Sequence, residues 1–170
     1  MNEVTVTIRF IRECLGAERR HLEGEGDVFC MHRAGESVIF LPSWWKAITR
    51  YAAQVLNQPQ SLIDRIDWDP VIVGMPRRWR RYFPTEPTKA SERRRYAKHE
   101  AFRAGDVIYV NCVLPDGLSP ADFRSVLETA GKYKGISPYR PGQFGNFQVE
   151  DVRERRYDEP PCRELLDVQD

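Results

Sequence analysis

Residues 106–130 constrain the fold of this 170-residue chain most strongly. Residues 106–114 form its clearest β-strand pattern. Pro115-Asp116-Gly117 is a turn signal, because glycine tolerates positive φ and aspartate hydrogen-bonds its own backbone. Ser119 can then cap a helix. The apolar positions of this helix have helical spacing and are predicted to face a sheet: Phe123, Val126, Leu127 and Ala130. We therefore predict a strand, a tight turn and a packed helix, which ends at Gly131 or Gly135.

The first third of the chain predicts a strand, a hairpin and a helix. Residues 4–10 alternate β-branched and polar side chains, as a half-buried strand does. Residues 15–27 are rich in glycine and charge and predict an exposed connection. Residues 28–32 and 37–41 predict a hairpin. Ser43 is the predicted cap of a helix that ends at Asn57 and Pro59. One face of that helix is apolar: Trp44, Ile48, Tyr51, Ala52 and Val55.

Two further strands complete the predicted sheet, at residues 67–75 and 147–152, and residues 90–102 predict a short helix. Without the insertions, the order of elements is β-α-β-β-α-β. This order is ferredoxin-like, an α+β arrangement that RNA-recognition modules share. The predicted organisation is one domain over residues 1–153, with a basic insertion at residues 76–104 and an acidic tail at residues 154–170.

Charge is distributed very unevenly along the sequence. The net charge of the whole chain is only +1. The basic segment, residues 76–103, has ten basic and three acidic residues, a net charge of +7. Residues 150–170 have eight acids and four arginines, a net charge of −4. A local field of this strength predicts a polyanionic partner for the basic segment.

The basic segment interleaves cations with aromatic rings, in the run Arg78-Trp79-Arg80-Arg81-Tyr82-Phe83. Single-stranded nucleic acid is bound by this combination, since cations follow the phosphates and rings stack on bases. Three alternatives stay open for the segment. It is a solvated loop that Trp79 and Phe83 anchor to the core, or a contact for a protein partner, or a contact for an acidic membrane surface.

A second candidate is the glycine-rich loop, residues 135–145. Its glycines let backbone amides approach phosphate closely, and Tyr139, Arg140 and Phe144 are placed to clamp a nucleotide. Its spacing matches neither a phosphate-binding loop of nucleotide hydrolases nor a dinucleotide fingerprint, so we expect no cofactor. The alternative is a plain connection between a helix and an edge strand.

Other classes of protein are disfavoured by composition. No apolar run approaches the roughly 18 residues that a membrane span needs, and no secretory signal is visible, so a cytoplasmic location is expected. The four cysteines (Cys14, Cys30, Cys112, Cys162) have no metal-ligand spacing, and Cys112 is predicted to be a buried thiol. Asp64, Asp67 and Asp69 lack a calcium-loop pattern and are predicted to cap or solvate a turn.

The helix entry Phe40-Leu41-Pro42-Ser43-Trp44-Trp45-Lys46-Ala47 resembles that of the RAMP superfamily, whose members are the RNA-binding backbone subunits of CRISPR effector complexes. Residues 130–140 leading into residues 145–149 are similar to the glycine-rich loop and final strand of small phage-encoded proteins of that fold. Ser43 replaces the superfamily's usual glycine. The resemblance is therefore to a phage or mobile-element relative.

This resemblance implies a non-catalytic protein that binds RNA or single-stranded DNA along a cleft, with the basic segment as a thumb-like insertion. It also implies self-association along the strand or assembly with other nucleoprotein subunits. The expected contacts are phosphate-binding, stacking and backbone-clamping residues: Arg77, Arg78, Trp79, Arg80, Arg81, Tyr82, Arg93, Arg94, Arg95, Lys98, Tyr139, Arg140, Gly142 and Gly145.

Two alternative functions remain. The first is a phage-encoded interaction protein that inhibits or caps a host nucleic-acid complex. The second is a metal-independent endoribonuclease, for which the candidate acid–base groups are His21, His32 and His99. The acidic tail is a further candidate for a competitor of nucleic acid or a contact for a partner; if it competes, its removal should strengthen binding.

Overall fold

The structure is a computed structural model that describes residues 2–73, 79–82, 97–137 and 144–155, with residues 72, 79–82 and 97 described by their backbone. Over these residues the chain forms the following elements in order: β1 (Asn2–Phe10), β2 (Cys14–Leu15), β3 (Glu18–Leu22), β4 (Gly26–Cys30), β5 (Arg33–Ala34), β6 (Ser37–Phe40), α1 (Pro42–Val55), α2 (Gln60–Ile63), β7 (Asp67–Trp68), β8 (Val71–Val73), β9 (Trp79–Tyr82), β10 (Ala97–Phe102), β11 (Val107–Leu114), α3 (Pro120–Tyr133) and β12 (Phe147–Glu154).

An antiparallel four-stranded sheet with the strand order β12-β1-β11-β7 forms the centre of the molecule. Its two central strands alternate between buried and half-exposed positions, as the sequence predicts. The buried set is Val4, Val6, Ile8, Phe10, Ile108, Val110, Cys112 and Leu114. These side chains share one apolar core with α1 and α3. Trp45 of α1 stacks on Trp68 of β7 at 5.6 Å between ring centroids, and Phe123 of α3 lies 5.7 Å from Trp68.

Helix α3 confirms the prediction for residues 119–130. The Ser119 hydroxyl accepts a hydrogen bond from the Asp122 N–H at 3.1 Å, and Pro120 occupies the first turn. All four predicted apolar positions are buried. The helix ends at Tyr133, and the Gly135 N–H closes its last turn on the Ala130 carbonyl at 2.9 Å.

Helix α1 exists, but its predicted cap and part of its predicted face are wrong. Leu41 is the residue at the N-cap, without a side-chain hydrogen bond, and Ser43 lies inside the helix. Pro42 explains the difference, because its fixed φ suits the first helical position. The buried face is Trp45, Ile48, Thr49, Ala52 and Ala53, whereas Val55 is 54% exposed.

The first 40 residues pair differently from the predicted hairpin between residues 28–32 and 37–41. β4 pairs antiparallel with β3 and parallel with β10, while β6 pairs with β5 and β8 in a separate three-stranded sheet. Part of the predicted exposed connection is therefore strand. Charged residues occupy β3 because it is an edge strand, where charge blocks further pairing.

Two more predictions are corrected by strand pairing. β10 is a strand and not the predicted helix, because it lies inside a sheet between β4, β9 and β2; tertiary pairing overrides local helix propensity there. The predicted strand at residues 67–75 contains two strands. β7 joins the four-stranded sheet and β8 joins the three-stranded one, with Pro70, which has no N–H to pair, in the break between them.

The fold class is α+β, as predicted, with several sheets and few helices. Cys14, Cys30 and Cys112 are buried, which confirms the prediction for Cys112. Burial raises the pKa of the Cys14 thiol to about 12, so this thiol is un-ionised at neutral pH. Among the helices of the described ranges, we find none with the length and apolarity to span a membrane.

Candidate nucleic-acid interface

Two strands of the basic segment, β9 and β10, belong to a second sheet, which contains β2, β10, β4 and β3, with β9 paired to β10. In the β9–β10 pair, Trp79 lies opposite Glu100 and Tyr82 lies opposite Ala97. The structure thus gives the backbone of four predicted contact residues, Trp79, Arg80, Arg81 and Tyr82. Arg77, Arg78, Arg93, Arg94 and Arg95 lie outside the described residues, and their contacts stay predictions.

Lys98 is the predicted contact of the basic segment whose side chain is described. Its ammonium forms an ion pair with Glu25, and the side chain is 28% exposed. Glu25 is the last residue of the tight turn between β3 and β4, and its N–H donates to the Leu22 carbonyl. Lys98 therefore joins the β3–β4 hairpin to β10 as well as adding to the local positive charge.

The root of the basic segment, by which we mean the strand β10 at its end, is anchored by a buried carboxylate. Glu100 has no exposed surface, and its Oε2 accepts a hydrogen bond from the Met31 N–H at 3.0 Å. Its Oε1 pairs with Arg33, which is also buried. A buried carboxylate needs such partners because desolvation of an unpaired charge is very costly. Residue Glu100 thus ties β10 to the connection that follows β4.

The two ends of the glycine-rich loop are joined to each other. Ile136 donates to the Gly145 carbonyl at 3.0 Å, and Gly145 donates to the Glu13 carbonyl at 2.7 Å. Gly145 has a φ of +78°, and a Cβ atom there would lie 2.3 Å from the Ser137 nitrogen. We call these joined ends of the loop, Ile136 and Ser137 with Gly145, its neck, and only glycine suits position 145 there. Tyr139, Arg140 and Gly142 lie outside the described residues.

The neck of the loop meets the root of the basic segment at β2. The Ser137 hydroxyl accepts from the Leu15 N–H at 3.0 Å and donates to the Leu15 carbonyl at 2.9 Å. Leu15 lies opposite Ala101 in β10. Phe144 packs against both in a small apolar cluster separate from the main core. The two segments that the sequence singled out are therefore neighbours in space.

A row of side-chain positions that the sequence analysis missed crosses this second sheet. Arg19, Phe29, His99 and Arg80 are register partners on β3, β4, β10 and β9. The Phe29 ring stacks on the His99 ring at 4.7 Å, with 14° between the planes. The only sequence signal for this row was the alternation in β4, where Val28 and Cys30 are buried and Phe29 between them is half-buried.

The three histidines occupy different environments. His99 is fully buried, and its Nδ1 lies 2.7 Å from the Gly16 carbonyl oxygen. His21 is exposed, with its Nδ1 3.0 Å from Asp27, while His32 lies 3.7 Å from Glu18. The hydrogen bond from His21, and then that from Arg19, lower the pKa of Asp27. The burial of His99 makes it unsuitable as an acid–base group for a strand in solvent.

The open face of the four-stranded sheet, opposite α1 and α3, is internally paired. Thr5 donates to Asn111 at 2.7 Å, and Arg9 pairs with Glu150 at 2.7 Å. Tyr109 lies half-buried beside Thr7. Acidic residues also occupy its strands and the residue after β7: Glu3, Asp67, Asp69, Glu150 and Asp151. Its cations are Arg9, Arg153 and, just after β12, Arg155, so the acids outnumber the cations, unlike on a phosphate-binding surface.

The aspartates near Trp68 are divided between two environments. Asp64 pairs with Arg50 at 2.6 Å at the end of α2, in agreement with the predicted solvated turn. Partial burial, and then the nearby Asp67 carboxylate, raise the pKa of Asp69. In the ranges that the structure covers, no group of three or more potential metal ligands lies together.

Comparisons with known proteins give a likeness of fold. No family model matches the sequence, and no curated protein matches it. Among solved structures, a chain of the "Cryo-EM structure of the Type III-B Cmr-beta bound to cognate target RNA" matches with a TM-score of 0.66 at 11% identity. The match covers 90% of this chain and 60% of that chain, so this protein spans less than two thirds of its structural neighbour. The likeness to this chain of the Cmr-beta structure is one of fold.

Proposed function

We propose that this protein binds RNA or single-stranded DNA on the side of the second sheet, without cleaving it. The observation that carries the proposal is the junction at β2. There the neck of the glycine-rich loop packs on the root of a segment with a net charge of +7. In this proposal the cations and rings of the basic segment contact the phosphates and bases of a single strand, and the strand passes the neck of the glycine-rich loop.

The topology of the central sheet supports this proposal by fold analogy. The order β12-β1-β11-β7 puts the last strand of the sheet beside the first and the third beside the second. That is the strand order of a ferredoxin-like core with α1 and α3 on one face, and we propose that classification for this chain. The structural neighbour is a chain from a complex with target RNA bound. Assembly with further subunits along a strand belongs to the same proposal, while a phage or mobile-element origin stays a prediction from the sequence.

Absence of catalysis is proposed on the positions of the histidines. His99 has no exposed surface and so cannot reach a strand in solvent, while His21 and His32, each beside a carboxylate on the β3–β4 side, are the groups that the test must exclude. We expect end-labelled RNA to stay intact after hours with the protein, with and without chelator. The appearance of defined cleavage products, and their loss in His21→Ala or His32→Ala, would establish the ribonuclease alternative instead.

Fluorescence anisotropy across a salt series tests the binding itself. Labelled oligouridylate RNA, single-stranded DNA and duplex DNA are titrated with the intact protein. The two single strands should bind, and log K should fall with log salt with a slope of about −3 or steeper, since each phosphate contact on a single strand contributes about −0.7. Absence of binding at low salt would overturn the proposal.

A further inference from the structure

The β3–β4 hairpin lies beside the root of the basic segment. β4 and β10 run parallel, so the turn between β3 and β4 lies at the end of the sheet where β10 begins. The ion pair between Glu25 and Lys98 joins them there. Exposed Arg19 and His21 on β3 therefore lie on the same sheet as the strands β9 and β10, whose connection, residues 83–96, is half of the basic segment.

Phe29 is the aromatic side chain of this hairpin, and its environment differs from that of its neighbours. Val28 and Cys30 point to the core and are buried, whereas Phe29 is on the other face and is half-buried. A phenylalanine on an outer sheet face leaves ring surface available to a flat ligand.

One face of the Phe29 ring packs against the ring of His99, its register partner on β10. The two rings are nearly parallel, 4.7 Å apart, and the His99 imidazole is itself fixed by the Gly16 carbonyl at 2.7 Å. His99 has no exposed surface. Because both rings are already packed, a base that stacks on Phe29 orders little that was free before, which favours affinity.

Arg19 lies opposite Phe29 in the β3–β4 pairing. Its guanidinium bonds to Asp27 at 3.0 Å with 72% of the side chain exposed, so solvent and ligand can reach it. On the other side of His99, the register partner is Arg80 of the basic segment. The aromatic pair thus lies in a row with an arginine position at each end.

We propose that Phe29, supported by His99, is a base-stacking subsite for single-stranded nucleic acid, and that Arg19 contacts the adjoining phosphate. This subsite rests on the proposed function, because it needs a strand on the side of the second sheet. It extends that function by placing a base on the β3–β4 hairpin, outside the basic segment and the glycine-rich loop that the sequence predicts as contacts.

The test compares strands with and without bases. The intact protein and its Phe29→Leu, Phe29→Trp and Tyr109→Leu variants are titrated with oligouridylate and with an abasic strand of equal length. Phe29→Leu should weaken oligouridylate binding about fivefold or more, the loss expected for one stacked base. Its affinity for the abasic strand should not change, and Phe29→Trp should bind oligouridylate as well as the wild type or better. Tyr109→Leu, an aromatic change on the open face of the four-stranded sheet, should leave both affinities unchanged.

The outcomes separate the subsite from the proposed function. Equal affinity of wild type and Phe29→Leu for oligouridylate would overturn the subsite and leave the proposed function standing. An equal loss on both strands would also overturn it, since phosphate contact or folding would then be responsible. If the wild type binds neither strand, the proposed function fails and the subsite fails with it. Phe29→Trp keeps a ring in place, so weaker oligouridylate binding by this variant would count against stacking even where Phe29→Leu does not fold.

Discussion

The two large sheets of this protein differ in what they present outward. On the face of the four-stranded sheet opposite the helices, polar side chains pair with one another: Thr5 with Asn111 and Arg9 with Glu150. The second sheet has a half-buried phenylalanine and exposed Arg19, and two strands of the basic segment belong to it. In RNA-recognition modules the open face of the central sheet stacks bases. We propose that in this protein the second sheet has that role, since a fold by itself does not fix the location of a site.

The largest expected difference between the sheets concerns their ion pairs. Glu100→Gln leaves Arg33 buried without its counter-charge, and should lower the free energy of unfolding by about 3–5 kcal/mol. Glu150→Gln removes the exposed pair with Arg9 on the other sheet and should cause no measurable change. Urea unfolding of both variants checks this, and equal effects would show that the root of the basic segment is not anchored by Glu100.

The neck of the glycine-rich loop gives the next largest effect. Gly145→Ala combines a positive φ with a Cβ atom 2.3 Å from the Ser137 nitrogen, so we expect a loss of about 2–4 kcal/mol in unfolding free energy. Gly24→Ala is the matched control, since Gly24 has a φ of +80° but nothing within 4 Å of the added atom. It should cost about 1–2 kcal/mol. Equal losses of unfolding free energy in the two variants, measured by thermal or urea unfolding, would mean that the backbone near Ser137 shifts to accept the added Cβ atom at little cost.

Removal of cations should weaken RNA binding when they belong to the basic segment and not when they lie on or next to α3. The triple change of Arg93, Arg94 and Arg95 to Ala should weaken oligouridylate binding about tenfold or more and reduce the salt slope by about 2. The same number of cations is removed on the helix side by changing Arg124, Lys132 and Lys134 to Ala, and this control should keep the wild-type slope. Equal losses would indicate attraction by overall charge instead of a localised contact.

The smallest expected effect is on Asp27, which competes with phosphate for Arg19. Asp27→Asn should raise the affinity for oligouridylate about twofold at neutral pH. Hydrogen bonds from His21 and Arg19 lower the pKa of Asp27 in the folded protein. The carboxylate's stabilisation of the hairpin is therefore present above the ordinary aspartate range and is lost as pH falls through the lowered pKa.

The affinity ratio of Asp27→Asn to wild type should accordingly approach one at acid pH, where Asp27 is protonated. Asp64→Asn is the control, since it also removes an exposed carboxylate paired with an arginine, Arg50, but near α1 and α2. It should not change RNA affinity. A similar gain from Asp64→Asn would show that net charge alone is responsible.

Local sequence patterns correctly predicted the strands and helices that are determined by interactions between residues close in sequence. The strand, turn and helix at residues 106–133 followed from alternation, an Asp-Gly turn and the Ser119 cap, and all three are present. The predicted N-cap of α1 was two residues too late, at Ser43 instead of Leu41, because Pro42 sets the start of the helix. The α+β class followed from the order of these elements.

The pairing of the second sheet could not be predicted from local patterns. β4 and β10 are about 70 positions apart, and their parallel pairing explains why residues 97–102, the described part of the predicted helix at residues 90–102, form a strand. The burial of Glu100 and His99 has the same origin, since a glutamate is almost never fully buried unless other parts of the chain supply its partners. For the same reason the charge pattern marked the basic segment but missed Phe29, whose role depends on its neighbours across the sheet.

Photocrosslinking tests the central claim most directly. Oligouridylate with 4-thiouridine at defined positions is bound to the intact protein, irradiated, and the crosslinked peptides are identified by mass spectrometry. We predict crosslinks within residues 13–30, 76–103 and 135–145, on the strands of the second sheet, the basic segment and the glycine-rich loop. Crosslinks concentrated in β1, β11 and β12, on the open face of the four-stranded sheet, would contradict the account.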